Sequence, residues 1–143
     1  MNRPRNIDKY REKYAVSPMR PLLAVSVAGV DQAVVIPALA ESSSLFRTLS
    51  SLAANPSREL GRTLVVCVVN NHRPSVAADE EIRDNQATLA LLKELIAGCN
   101  PSMAGPALLR GDLERIANSS LRLGCIDASS ADAEIPDRDG GVG

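Results

Sequence analysis

Polar residues that could hold a ligand follow the apolar stretches of this chain. Glu41 comes shortly after the apolar run 33–36, and Asn70 and Asn71 come directly after the run 63–69. Asp127 closes a third run, 121–127. A carboxylate accepts hydrogen bonds, and an asparagine amide both donates and accepts them. If the runs are parallel strands, these groups meet at the carboxyl edge of one sheet, where open α/β sheets bind ligands.

The apolar runs have the composition of strands. Residues 63–69 are apolar at almost every position, which is typical of a strand covered on both faces. Residues 34–36 are β-branched and run into Pro37, and we predict a second buried strand there. Residues 22–28 form a further strand candidate. Gly29 favours a break after it, and the sequence leaves open a hairpin or one bent strand with 33–36.

Helical patterns separate these strands. The serines at 42–44 offer an N-cap to a helix whose apolar face is Leu45, Phe46, Leu49, Leu52 and Ala53. A second helix is predicted to start at Asp84 or Asn85 and to end before Gly98, after an exposed acidic segment, 75–83. The alternation of strands and helices predicts a Rossmann-like three-layer α/β/α fold, with a mostly parallel sheet and helices on both faces.

The order of these motifs resembles the N-terminal portion of family 2-type glycosyltransferases with the GT-A fold. Pro37-Ala38-Leu39-Ala40-Glu41 is similar to the segment that follows the family's first strand, although Ala40 stands where the family usually has asparagine. Asn70-Asn71 stands where the family usually has acidic residues. Asp139-Gly140-Gly141-Val142-Gly143 is similar to its glycine-bearing stretch after the third strand. The resemblance covers roughly residues 22 to 143.

The resemblance implies that the chain binds a nucleotide-diphospho-sugar and leaves the acceptor unspecified. It assigns nucleotide binding to Pro37, Ala38, Glu41, Asn70, Asn71, Arg73, Asp127, Gly140 and Gly141. The family's Asp-x-Asp metal motif and catalytic base lie further along than this chain extends. We therefore predict no catalytic residue and no metal ligand here, in a domain that is truncated at its C-terminus or is a degenerate short homologue. Mg²⁺ or Mn²⁺ is expected only for a full-length enzyme.

Each site residue also has a structural interpretation. Glu41 can serve as an acid favouring the helix N-terminus, Arg73 can lie in an exposed turn, and Asp127 can form a loop. Two other functions stay open. One is a non-catalytic binding or assembly domain, favoured by asparagine in place of acid. The other is a different Rossmann-like nucleotide-binding module, although neither GxGxxG nor GxxxxGK[ST] occurs.

Composition and charge limit the kinds of molecule that the chain can be expected to bind. The net charge is −1 and aromatic residues make up 2% of the chain, which excludes a base-stacking nucleic-acid surface.

Residues 1–21 form a basic N-terminal arm before the domain 22–143. This arm is either a solvated tail or a contact to an acidic surface or a membrane face. A single histidine and three widely spaced cysteines predict no zinc site. The polar start and the short apolar runs predict a cytoplasmic protein without a transmembrane segment.

Overall fold

The computed structural model describes residues 8–9, 20–71 and 78–129. Most of the basic arm, together with Arg73, Gly140 and Gly141, lies outside the described residues. The elements in chain order are β1 (Leu23–Ala24), β2 (Gln32–Ala38), α1 (Ser42–Ala53), α2 (Ser57–Gly61), β3 (Thr63–Asn70), α3 (Asp79–Ile96), a 3-10 turn (Ala107–Leu109), α4 (Arg110–Ala117) and β4 (Arg122–Ala128).

The strands form one mixed sheet in the order β1-β4-β3-β2. β2 is parallel to β3 and β3 is parallel to β4, whereas β1 is antiparallel to β4. The predicted α/β class is confirmed at this level. The strand predicted within 22–28 is present as the two residues of β1, but a hairpin or a bent strand with 33–36 is wrong, since β1 lies at the far edge of the sheet from β2. Arg122 holds the following segment, because its guanidinium donates to the carbonyls of Ser26 and Ala28 at 2.8 and 2.7 Å.

β2 is an exposed edge strand, although the sequence predicts a buried one. Val34 is 39% exposed and Val35, on the opposite face, is 62% exposed. The cause is its position. Of the strands that the structure describes, one pairs with β2, and only the last residue of β2, Ala38, is fully buried. β3, in contrast, lies between two strands and is buried at every position except Val68.

The core lies against one face of the sheet. The register places Val65, Cys67 and Val69 of β3 on the same face as Leu123 and Cys125 of β4. These side chains form one buried cluster with residues of the helices, namely Leu45, Phe46 and Leu49 of α1, Leu89, Leu91, Leu92 and Ile96 of α3, and Leu113 and Ile116 of α4. The parallel strands follow one another in a single direction, so right-handed crossovers place these helices on one side. Among the helices that the structure describes, α1, α3 and α4 therefore form one layer, and helices on the other face of the sheet stay a prediction.

α3 begins earlier than the sequence predicts. It starts at Asp79, so Asp84 and Asn85 lie inside the helix and do not cap it. Asp79, Glu80 and Glu81 occupy its first turn, where acidic side chains favour the helix dipole. Among the helices of the described residues, none combines the length and apolar character needed to cross a lipid bilayer.

The three cysteines differ in their predicted reactivity. Cys67 and Cys125 are buried on neighbouring strands, whereas Cys99 is exposed. Burial raises the pKa of Cys67 to about 12, and it also raises the pKa of Cys125. The thiolate is the reactive form. At pH 8 we therefore expect a disulfide reagent to label one thiol of the native protein rapidly and all three after unfolding. Rapid labelling of three native thiols would contradict this packing of β3 and β4.

Candidate functional site

The carboxyl ends of the three parallel strands lie together at one edge of the sheet, which we call the carboxyl edge. Ala38 of β2 is in register with Val69 of β3, and Asn70 is in register with Ala128 of β4. The loop after β2, the residues after β3 and Ser129 therefore leave the sheet at one level. The N-terminal half of α3 also lies on this side, because α3 follows β3 in the chain. This edge is where an open α/β sheet offers a ligand site.

Asn85 of α3 joins two of the strand ends. Its Oδ1 accepts a hydrogen bond from the backbone N–H of Ala40 at 2.9 Å, and its Nδ2 donates to the carbonyl of Asn70 at 2.7 Å. The side chain is almost completely buried. Ala40 has a φ of 52°, in the left-handed region that alanine rarely adopts. The amide of Asn85 thus fixes a strained loop residue beside the end of β3.

Asp84 supplies the N-terminal cap of α1 from another helix. Its Oδ1 accepts from the hydroxyl of Ser42 at 2.6 Å, and its Oδ2 accepts from the backbone N–H of Ser42 at 3.2 Å. Glu41 occupies the cap position of α1 but makes no side-chain cap bond. The serine cap predicted from residues 42–44 is therefore wrong: Ser42 is the first helical residue, and Asp84 receives its N–H.

Two buried polar atoms near these bonds have no hydrogen-bond partner among the described residues. The Oδ1 of Asn71 and the Oγ1 of Thr88 are inaccessible to solvent. Within this part of the chain, the Oδ1 accepts no hydrogen bond, and the Oγ1 neither accepts nor donates one. Asn71 follows the end of β3 and is 3% exposed. Thr88 lies three residues after Asn85, on the same side of α3 and about one turn deeper. Buried polar atoms in folded proteins nearly always have hydrogen-bond partners. These two are therefore the atoms to which a ligand could supply the missing hydrogen bond.

The predicted site residues on β2 and β3 are divided between the core and the carboxyl edge. Pro37 is exposed in the edge strand, and Ala38 is buried in the hydrophobic cluster. Glu41 is exposed at the start of α1. Asn70 is buried, and its carbonyl is the acceptor for Asn85. Asn71 is thus the member of this set whose side chain has an unpartnered atom, its buried Oδ1.

Asp127 forms the loop after β4. Its Oδ1 accepts from the backbone N–H of Ser129 at 2.9 Å and from the hydroxyl of Ser129 at 3.0 Å. This bond pattern, two residues ahead, is the turn that aspartate favours at the end of a strand. The loop-forming interpretation of Asp127 is shown by these bonds, and its role toward a nucleotide stays a prediction. Arg73, Gly140 and Gly141 lie outside the described residues.

Sequence reasoning misses Asn85, Asp84 and Thr88 as residues of this edge. A signal for burial is present, because Asn85, Thr88 and Leu92 follow one another at spacings of three and four residues, so the two polar residues extend the apolar face of α3. Polar residues in line with such a face are buried with it. The identity of their partners has no such signal, since Ala40 lies 45 residues away and Ser42 lies 42 residues from Asp84.

The carboxylates of the described residues do not fit a divalent cation. Within residues 8–9, 20–71 and 78–129, no three His, Cys, Asp or Glu side chains lie close enough together to hold a metal ion. Asp84 is engaged by Ser42, and Asp127 by Ser129. The Mg²⁺ or Mn²⁺ that the glycosyltransferase resemblance implies for a full-length enzyme therefore has no ligand set in the described part of the chain.

Comparison with known protein-family models, with curated proteins and with solved structures finds no match to this chain.

Proposed function

We propose that the carboxyl edge binds the nucleoside part of a nucleotide-diphospho-sugar, in a catalytically incomplete glycosyltransferase domain with a Rossmann-like, mostly parallel sheet. The observation that supports this proposal is the buried, unpartnered Oδ1 of Asn71, directly after the central parallel strand. A nucleobase or ribose has N–H or O–H groups that such an oxygen can accept. The resemblance places a base-binding residue at the same strand end.

The energetic argument concerns the free protein. A buried acceptor that loses water without gaining a partner costs about 1 to 3 kcal/mol. That cost is offset when a bound ligand donates to the oxygen, so the atom favours the liganded state over the free one. Thr88, with its unpartnered hydroxyl, adds a second such group on the adjacent helix. Arg73 remains the proposed contact for the diphosphate.

The proposed activity is binding. Among the described residues no group of three His, Cys, Asp or Glu side chains could hold a metal ion, and Asp84 is bonded to Ser42. In the family, a carboxylate base deprotonates the acceptor hydroxyl, which attacks the anomeric carbon while a divalent ion stabilises the leaving diphosphate. We assign none of these steps to a residue of this chain.

A second candidate function is a non-catalytic binding or assembly domain. The observation that favours it is the use of Asn85 and Asp84 to hold the loop after β2 and the start of α1. Polar groups at the carboxyl edge then stabilise the fold and need no ligand. A different Rossmann-like nucleotide-binding module is the third candidate, and it would prefer a dinucleotide such as NAD.

Ligand-induced stabilisation separates these functions. We expect uridine or guanosine diphosphate to raise the melting temperature of the protein, because a ligand that binds only the folded state adds about 2.7 kcal/mol of stability at a hundred times its Kd. The measurement is thermal unfolding with each nucleotide, with and without Mn²⁺, and with NAD. No shift with any nucleotide contradicts the proposal and leaves the assembly domain, whereas a shift with NAD alone favours the third candidate.

Two variants test the site itself. Asn71→Leu and Thr88→Val remove the unpartnered atoms, so we expect the unliganded protein to keep or gain stability while the nucleotide-induced shift falls by at least half. Asn118→Leu and Thr48→Val are matched controls at exposed positions, and they should leave the shift unchanged. A full nucleotide shift in Asn71→Leu would show that the ligand binds elsewhere.

A further inference from the structure

The outer edge of β2 is a second feature that the proposed function does not use. β2 is the last strand of the sheet, and no strand among the described residues pairs with its outer side. Its valines are exposed on both faces, as given above for Val34 and Val35. An uncovered apolar edge of this length is a template for another strand.

The backbone groups that point outward follow from Pro37. The carbonyl of Arg62 accepts from the N–H groups of both Asp31 and Gln32, at 3.0 and 3.3 Å, so these two bonds do not decide the direction. Since Pro37 has no N–H to donate to β3, we infer that the donors to β3 are Gln32 and every second residue after it. Because successive residues of a strand point their N–H and C=O groups to opposite sides, Ala33, Val35 and Pro37 face outward. Pro37 has no N–H, and proline in a sheet is tolerated where that group would face away from the neighbouring strand. The position of Pro37 therefore implies an edge that carries N–H donors at Ala33 and Val35 only.

We propose that a second copy of this chain pairs antiparallel with β2 and joins the two sheets across a two-fold axis. The segment Gln32–Ala38 carries no charged side chain, so two copies place no like charges opposite each other. The surface is also self-complementary: each copy offers two outward N–H groups to outward carbonyls of the other. An isologous contact of this kind closes as a dimer and leaves no further edge at β2.

Pro37 sets the register. With the two-fold axis at Val34, Ala33 lies opposite Val35 of the partner subunit, and the two such pairs make four N–H···O bonds. Pro37 then lies at the end of the ladder, opposite Asp31 of the partner subunit. An axis one residue further along, at Val35, would put Pro37 inside the ladder and leave the carbonyl of Ala33 without a donor. In the preferred register, Val34 faces its own symmetry mate in a non-hydrogen-bonded pair.

The first test is the mass of the full chain in solution. We expect a concentration-dependent species of twice 15.2 kDa by sedimentation or light scattering. Val35→Lys should raise the dimer dissociation constant at least about tenfold, because edge lysines oppose strand pairing. Leu108→Lys is the matched control at a position 76% exposed outside the sheet, and it should leave the dimer unchanged. A single 15.2 kDa species at every concentration, or a dimer insensitive to Val35→Lys, overturns the proposal.

The second test determines the register of the two strands and does not depend on a variant that weakens the dimer. In a Cys99→Ser background, Val34→Cys should form a disulfide-linked dimer under mild oxidation, since directly opposed Cα atoms of about 4.5 Å lie within disulfide range. Val27→Cys, exposed outside the strands, should stay monomeric on a non-reducing gel. Equal cross-linking of the two variants, or none in Val34→Cys, contradicts pairing through β2.

Discussion

Replacing Asn85 by alanine is expected to destabilise the protein by about 2 to 3 kcal/mol, because a buried carbonyl loses its donor. The amide of Asn85 donates to the carbonyl of Asn70 and accepts from the N–H of Ala40. Because Asn70 is itself buried, water cannot readily replace the Asn85 amide as the donor to its carbonyl. Urea unfolding followed by circular dichroism should show a lower midpoint with an unchanged slope.

The control for this prediction is Asn118→Ala. Asn118 follows α4 at an exposed position, so the same chemical change should alter the free energy of unfolding by less than about 0.5 kcal/mol. A loss as small as this in Asn85→Ala would mean that the loop after β2 and the end of β3 are not held together through α3. The variant should also weaken nucleotide binding if the carboxyl edge is the site, since Asn71 adjoins the carbonyl that Asn85 holds.

Phe46→Ala is expected to have the largest effect on stability, about 3 to 5 kcal/mol. Phe46 is the single phenylalanine of the chain and is completely buried in α1. It belongs to the cluster that joins α1, α3 and α4 to the sheet. Its removal leaves a cavity that aliphatic neighbours fill only in part. Small domains have about 5 to 15 kcal/mol of total stability, so thermal unfolding should show a large fall in the melting temperature.

Val25→Ala is the comparison for the loss of apolar side-chain atoms. Val25 is 78% exposed, so its truncation should change stability by less than about 0.5 kcal/mol. Phe46→Leu should fall between wild type and Phe46→Ala, because leucine retains most of the buried apolar volume. A Phe46→Ala protein as stable as wild type would contradict the buried cluster that joins α1, α3 and α4 to the sheet.

The candidate site could be predicted in its position but not in its contacts. Polar residues after apolar runs indicate strand ends, which is why Asn70 and Asn71 are found from the sequence. Asn85 and Asp84 are not found, because their partners are more than 40 residues away. Their position inside α3 also depends on a helix that starts at Asp79, several residues before the cap that the local sequence suggests.

What the sequence determines by itself is the local order of the chain. Apolar content and β-branched residues predict a strand at 63–69, which the structure extends by one residue, and the spacing of Leu45, Phe46 and Leu49 predicts the buried face of α1. These patterns depend on the periodicity of one element, so the alternation of strands and helices, and with it the α/β class, can be read before any contact is known.

Only the tertiary structure decides which apolar strand is central and which is at the edge. The run 34–36 consists of β-branched residues, as most of β3 does, yet Val34 and Val35 are exposed because, among the described strands, β2 has a neighbour on one side only. In the same way, α3 brings Asn85 to Ala40 and Asp84 to Ser42. Burial and hydrogen bonding depend on neighbours that are distant in the chain, and the pattern of a single element does not specify those neighbours.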